Sequence, residues 1–244
     1  MHRSRLSYRW WCNRILFLWT LTARQTMKHT IAICASLLLT AMSMASCAKT
    51  NNTKQNSTET TDQPQKEIKM TDSNKTLVVF FSHTGENYAV GNITEGNTHI
   101  IADMIADATG AKTFEITPEK AYTQDYNECI DVAKKELQSQ ARPAIKEDID
   151  LTEYDTIFLG YPNWWGQPPM CVFTFIEAHD WDGKTVIPFI THEGSGMGGT
   201  DRKIAETCKG ANVAVGKGLA VRGATAQNDR ETARKTVNKW LEKL

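Results

Sequence analysis

Three short apolar runs constrain this chain most: residues 77–81 (LVVFF), 156–160 (TIFLG) and 185–190 (TVIPFI). Runs of this length without polar alternation suit strands buried on both faces. Stretches at helical spacing separate them. Ile100, Ile101, Met104, Ile105 and Ala108 form one such stripe, ended by Gly110. Residues 112–116 alternate, as an edge strand does, and a helix is expected from about Gln124 to Leu137. Pro168-Pro169 opens a third helix through Ile176, since proline is tolerated in a first turn. Pro188 costs the fourth strand a ladder bond. A short helix near 201–208 leads to apolar runs at 212–215 and 218–221. Ala233, Val237, Trp240, Leu241 and Leu244 close the chain at helical spacing. Strands alternating with helices specify an α/β domain with a parallel sheet and right-handed crossovers. Ligands of such sheets sit beyond the carboxyl ends of the strands, which directs attention to the loops after strands one, three and four.

The N-terminal third has a different character. Residues 1–46 hold six basic residues and no acid, leaving 22 basic against 28 acidic residues in the remainder. An acidic body carries no electrostatic footprint for nucleic acid. Met27-Lys28-His29 precedes a mostly apolar stretch, 31–42, and then Ala45-Ser46-Cys47. This order describes a secretory signal, its apolar run of roughly a dozen residues being too short to span a bilayer. The ending resembles a bacterial lipobox, which implies lipidation of Cys47 and places the chain outside the inner membrane, anchored on the periplasmic side or to the outer membrane. Met27 is the expected start, with residues 1–26 as an extension. Residues 48–74 contain no aromatic residue and read as a flexible tether, spanning on the order of 30 Å. The domain boundaries expected are therefore 1–46, 47–74 and 75–244.

The first loop begins Ser82-His83-Thr84-Gly85, and a second polar cluster, Glu95-Gly96-Asn97-Thr98, stands before the first helix. Hydroxyls, a glycine and a helix start suit a phosphate, or equally a capped helix with Asn97 or Thr98 as its N-cap. No Lys or Arg lies between Lys75 and Lys112, which excludes a P-loop nucleotidase. The second loop, 160–169, places Trp164 and Trp165 side by side between Pro162-Asn163 and Gly166. Adjacent side chains there cannot both point inward, and a planar surface suits stacking on an aromatic ligand. The third loop, 191–199, runs Thr-His-Glu-Gly-Ser-Gly-Met-Gly-Gly. Its Gly-x-Gly-x-x-Gly pattern follows the wrong strand for a dinucleotide site, and Glu193 breaks a nucleophile elbow. Backbone N–H groups offered to the edge of a planar ligand fit it better.

On these motifs (Phe-Phe-Ser-His-Thr-Gly, Gly-Asn-Thr, Gly-Tyr-Pro-Asn-Trp-Trp-Gly and Thr-His-Glu-Gly-Ser-Gly) the chain from about Lys75 onward resembles the flavodoxin-like proteins of anaerobic bacteria. The resemblance implies a doubly wound five-stranded parallel sheet of order 2-1-3-4-5, helices on both faces, and FMN bound non-covalently. It implies that Ser82, Thr84, Gly85, Asn97 and Thr98 hold the phosphate, with His83 beside them. Trp164 would cover one face of the isoalloxazine. Trp165, Thr191, His192, Gly194, Ser195 and Gly196 would line its rim, and Pro162, Asn163 and Gly166 would also bind the cofactor. Two departures stand out. An insertion, 86–95 (ENYAVGNITE), splits the phosphate contacts and brings Tyr88 over the ribityl chain. The third loop lacks an aromatic residue over the second flavin face, leaving that face open to solvent or substrate.

The expected function is that of an FMN-binding electron carrier serving redox partner proteins or small quinone-like acceptors outside the cytoplasm. An FMN-dependent quinone or nitro reductase, with His192 as proton donor, is the alternative. A flavin-free binding lipoprotein is a third reading, since fold alone does not assign function. Cys171, in a helix first turn, is either a reactive thiol or a small buried residue, the second being preferred. His83 is read as bonding the loop backbone rather than moving protons. Nothing in the sequence supplies a metal cage.

Overall fold

The computed structural model describes residues 75–244. The secretory segment, Cys47 and the 48–74 tether lie outside the described residues. Elements follow in the order β1 (Thr76–Phe80), β2 (Gly85–Asn87), β3 (Gly91–Ile93), α1 (Asn97–Thr109), β4 (Lys112–Glu115), α2 (Tyr126–Ser139) and β5 (Thr156–Pro162). Then come α3 (Met170–Ala178), β6 (Thr185–His192), α4 (Thr200–Thr207), β7 (Asn212–Val213), β8 (Leu219–Arg222), α5 (Gly223–Asn228) and α6 (Arg230–Leu241).

The main sheet is parallel and runs β4-β1-β5-β6, with β7 and β8 sharing the place beyond β6. Counting that shared place once, this is the 2-1-3-4-5 order. Alternation along the strands sorts the core into two layers. Val78, Phe80, Phe158, Ile187 and Phe189 pack under α1, α5 and α6, while Leu77, Val79, Phe81, Ile157, Leu159 and Ile190 pack under α3 and α4. Burial on both faces is why these strands read as unbroken apolar runs. Pro188 is accommodated by the split edge. Val186 O accepts Ala214 N–H at 2.9 Å, so the polar groups of residue 188 point to that same side, between the end of β7 and the start of β8.

Three details differ from expectation. The 86–95 insertion folds as an antiparallel hairpin, β2 against β3, turning through Tyr88-Ala89-Val90 with Ala89 at φ 67°. Helix α2 starts two residues later than its apolar pattern suggests, because Asp125 caps it by accepting Glu128 N–H at 2.9 Å. A further short helix, α5, follows β8 directly. Among the described residues no helix is long and apolar enough to cross a membrane.

Candidate ligand cleft at the carboxyl ends of the strands

A cleft of about 300 Å³ opens where β1, β5 and β6 end. The loops after these strands form its floor, and the β2–β3 hairpin and α2 form its far wall.

Where β1 ends, Gly96 lets the chain close on itself. A Cβ at this position would press on Ser82 Oγ and lie 2.8 Å from His83 O. Of the two readings of this segment, the side-chain-capped helix is not found: neither Asn97 nor Thr98 is the N-cap of α1. Gly96 is the cap residue, without a side-chain bond, and Ser82 Oγ accepts His99 N–H at 3.1 Å from the preceding loop. Thr98 Oγ1 pairs with Thr191 Oγ1 at 2.7 Å, joining the start of α1 to the end of β6. A hydroxyl pair uses one proton between its members, so one O–H remains to donate elsewhere. Gly85, at φ 88°, has no room for a side chain against Gln124, so the hairpin lies tight on the segment entering α2. Glu86 N–H donates to Gln124 O at 2.8 Å, and Tyr126 N–H donates to the Glu86 carboxylate at 3.2 Å.

Where β5 ends, Trp164 and Gln167 exchange two backbone hydrogen bonds of 3.0 Å. The central residues Trp165 and Gly166 have φ of 56° and 78°, the signs of a type I′ turn. Glycine suits that backbone; tryptophan does not. The turn separates the two indoles. Trp164 is half-buried, its ring met edge-on by Tyr122 at 4.9 Å, Phe81 at 5.4 Å and His83 at 5.7 Å. Tyr122 is fixed by its O–H, which donates to Glu136 Oε2 at 2.7 Å; burial raises its pKa further above the ordinary phenol range. Trp165 is 50% exposed, yet its Nε1–H donates to Ile130 O at 3.0 Å and Lys134 Nζ sits 5.2 Å from its ring centre. At the same mouth Tyr88, 65% exposed, lies 6.2 Å from the Tyr126 ring.

Where β6 ends, the glycine-rich loop folds back on His192. Its Nδ1 accepts Gly194 N–H at 2.8 Å and Gly196 N–H at 3.2 Å. An imidazole nitrogen that accepts carries no proton, so His192 is neutral with its hydrogen on Nε2. Burial also lowers its pKa, the Glu193 charge opposing and Arg222 assisting. Gly194, at φ 132°, Ser195 and Gly196 lie outside the cleft lining, and the two glycine N–H groups are spent on His192. His83 Nε2–H donates to Thr123 O at 3.0 Å, and burial lowers its pKa.

The structure thus brings His83, Tyr88, Asn97, Pro162, Asn163, Trp164, Trp165, Thr191 and His192 onto one cleft. Ser82, Thr84, Gly85, Thr98 and Gly166 stand behind or beside it rather than in its lining. Sequence reasoning missed Glu86, Asn87 and Glu193, and the face of α2 carrying Tyr126, Cys129 and Ile130. Three side-chain atoms on the cleft residues are buried without a hydrogen-bond partner: Asn97 Oδ1, Asn163 Nδ2 and Glu193 Oε2. Unpaired buried polar atoms are costly in a core and expected at a ligand site. Cys171 is fully buried, and burial pushes its thiol up to about 12, so it is not the reactive group of this site.

An open, doubly wound parallel sheet with an aromatic, polar-edged cleft beyond its strand ends defines a nucleotide-type ligand-binding α/β domain. The chain belongs to the flavodoxin family, which it matches over residues 75–244. A solved protein from Bacteroides uniformis, assigned as a flavoprotein, is 34% identical with a TM-score of 0.56, over 70% of this chain and 99% of that one. A second, from Bacteroides eggerthii, is 31% identical with a TM-score of 0.54, over 69% and 96% of the two chains. A flavoprotein from Lactobacillus acidophilus, solved in complex with FMN, shares the fold at 24% identity and a TM-score of 0.50, over 69% and 99%. Comparison with curated proteins finds no match.

Proposed function

We propose that this protein binds FMN non-covalently in the cleft and works as an electron carrier, tethered outside the inner membrane by a lipid on Cys47. One observation carries the flavin reading. An indole held rigidly by three edge-on rings borders the same cleft as three unpartnered buried polar atoms. A planar heterocycle with a polar edge satisfies both. Bound FMN supplies the redox chemistry.

The chain's own residues bind and orient the group. Trp164 offers the stacking surface, and Trp165 the rim. Tyr88 covers the ribityl side from the hairpin. Asn97, on the cleft, and Ser82, Thr84, Gly85 and Thr98, beside it, would receive the phosphate through hydroxyls and backbone N–H groups of the first loop and the start of α1, without a basic side chain. Thr191 and His192 border the ring, where His192 acts as a neutral hydrogen-bond donor through Nε2.

The exposed Tyr88 and Trp165 at the cleft mouth favour a second reading, an FMN-dependent reductase of quinones or nitroaromatics that stack on them. Steady-state turnover of a reductant with a quinone supports this; reduction and reoxidation only through a partner protein supports the carrier. The flavin reading itself is tested by the absorption spectrum with and without added FMN. Membrane attachment is tested by Cys47→Ser, which should move the protein from the membrane to the soluble fraction.

A further inference from the structure

The helix that walls the cleft is loosely built into the domain. Of its 14 residues α2 buries only Cys129 and Ala133, whereas α1, with 13, buries six. A helix with so little apolar contact depends on polar attachments to keep its place. At its start, Glu86 bonds to Gln124 and Tyr126 and joins it to the β2–β3 hairpin. In its second half, Glu136 accepts the Tyr122 O–H.

Trp165 makes the attachment at the cleft mouth. It belongs to the β5 loop, Ile130 belongs to α2, and both line the cleft. The indole Nε1–H donates to Ile130 O at 3.0 Å. A carbonyl inside a helix already serves the N–H four residues on, here that of Lys134, so helix formation does not call for the indole. Lys134 Nζ in turn sits 5.2 Å from the indole ring centre. One turn of α2 therefore grips both the N–H and the face of the same ring.

The loop side of this contact is held under strain. Trp165 keeps φ at 56°, which a residue with a side chain adopts only where its neighbours over-determine it. Asn163 Oδ1 completes the turn by accepting Gly166 N–H at 2.9 Å. The strained backbone presents a half-exposed indole to α2 instead of burying it.

We propose that Trp165 is a latch between the β5 loop and α2, and that FMN enters and leaves the cleft when the latch opens and α2 moves away from the loop. This rests on the FMN reading above. The latch joins two walls of the cleft without using a ligand atom, so it opposes opening of the empty and the filled cleft alike. It therefore sets the rates of FMN exchange more than the affinity.

The test uses the full chain and two variants. Trp165→Phe keeps a ring at the turn and removes the N–H. Lys134→Ala removes the cation from the exposed side of α2 and leaves every cleft side chain in place. Amide hydrogen exchange without FMN reads the latch itself. Exchange over residues 129–137 should quicken about fivefold in Trp165→Phe and about two- to fivefold in Lys134→Ala, while exchange in α1 stays as in wild type. Stopped-flow mixing with FMN reads the gate. In Lys134→Ala the association and dissociation rate constants should rise by similar factors, leaving the dissociation constant nearly unchanged. Unchanged exchange in α2 in both variants overturns the proposal. Faster exchange with unchanged FMN rate constants overturns it too, as does a rise in dissociation alone. These results leave the FMN reading standing. Wild type that binds no FMN overturns both.

Discussion

The backbone N–H of Gly194 donates to His192 Nδ1 at 2.8 Å, and protonation of that nitrogen would break the bond and its companion from Gly196. The folded protein therefore resists protonating His192, and burial of the ring acts in the same direction. His83 is likewise lowered, chiefly by burial. For such groups the unfolded chain takes up protons near the ordinary value of 6.5 while the folded chain does not. The stability they confer is complete above that pH and declines as pH falls below it. Glu115 and Glu136, raised mainly by burial, work in the opposite direction at lower pH, so the histidine part is read by difference. Thermal midpoints at pH 7.5 and 5.5 should diverge more for wild type than for His192→Asn. An identical pH dependence would remove this role of His192 in the loop.

Gly96 sits where β1's loop meets α1. Adding one methyl group there presses on Ser82 Oγ and the His83 carbonyl, neither of which is the free end of a long side chain. Gly96→Ala should cost about 1–3 kcal/mol through overpacking and loosen the Ser82 cap on His99. Urea denaturation measures the first effect. Hydrogen exchange at the His99 amide reads the second, and should quicken.

Tyr122 supports Trp164 through ring geometry rather than through its hydroxyl. Tyr122→Phe loses one bond to Glu136, worth about 1 kcal/mol, but keeps the edge contact at Trp164. Tyr122→Ala removes that contact as well. FMN affinity should be nearly unchanged in the first variant and fall severalfold in the second; equal loss in both would show that the hydroxyl matters more than the ring.

Cys129, Cys171 and Cys208 are buried, and burial raises their thiols to about 11, about 12 and about 12. Thiolate is the reactive form, so a thiol reagent at pH 8 should leave all three unlabelled in the folded protein and label them in guanidinium. Peptide mass spectrometry distinguishes each from the cysteines of the N-terminal segment. Labelling of Cys129 in the folded state would show that the cleft wall around it opens.

The parallel core was readable in the sequence because strands covered on both faces leave unbroken apolar runs such as 77–81. The hairpin was not, for its strands are the triplets Gly85–Asn87 and Gly91–Ile93, which hold a single buried apolar side chain, Ile93, between them. Their pairing is supported by Glu86 bonding to Gln124 and Tyr126, contacts distant in sequence. The adjacency of Trp164 and Trp165 signalled that one indole must face outward. That the turn would be type I′ was hidden, because tryptophan is a poor residue for its first central position. Glu193 appeared only as an interruption of a glycine motif. Its Oε1 accepts Ala224 N–H at 2.7 Å, an approach that exists only once β8 lies beside β6.

The most direct test of FMN binding in the cleft is the absorption spectrum of the purified protein, recorded before and after adding FMN. The expected result is a two-banded flavin spectrum shifted from that of free FMN. Flavin fluorescence should be quenched on binding, and affinity reduced by roughly tenfold or more in Trp164→Ala. A flavin spectrum and fluorescence unchanged by micromolar protein would contradict FMN binding, and the cleft beneath Trp164 would then belong to another ligand.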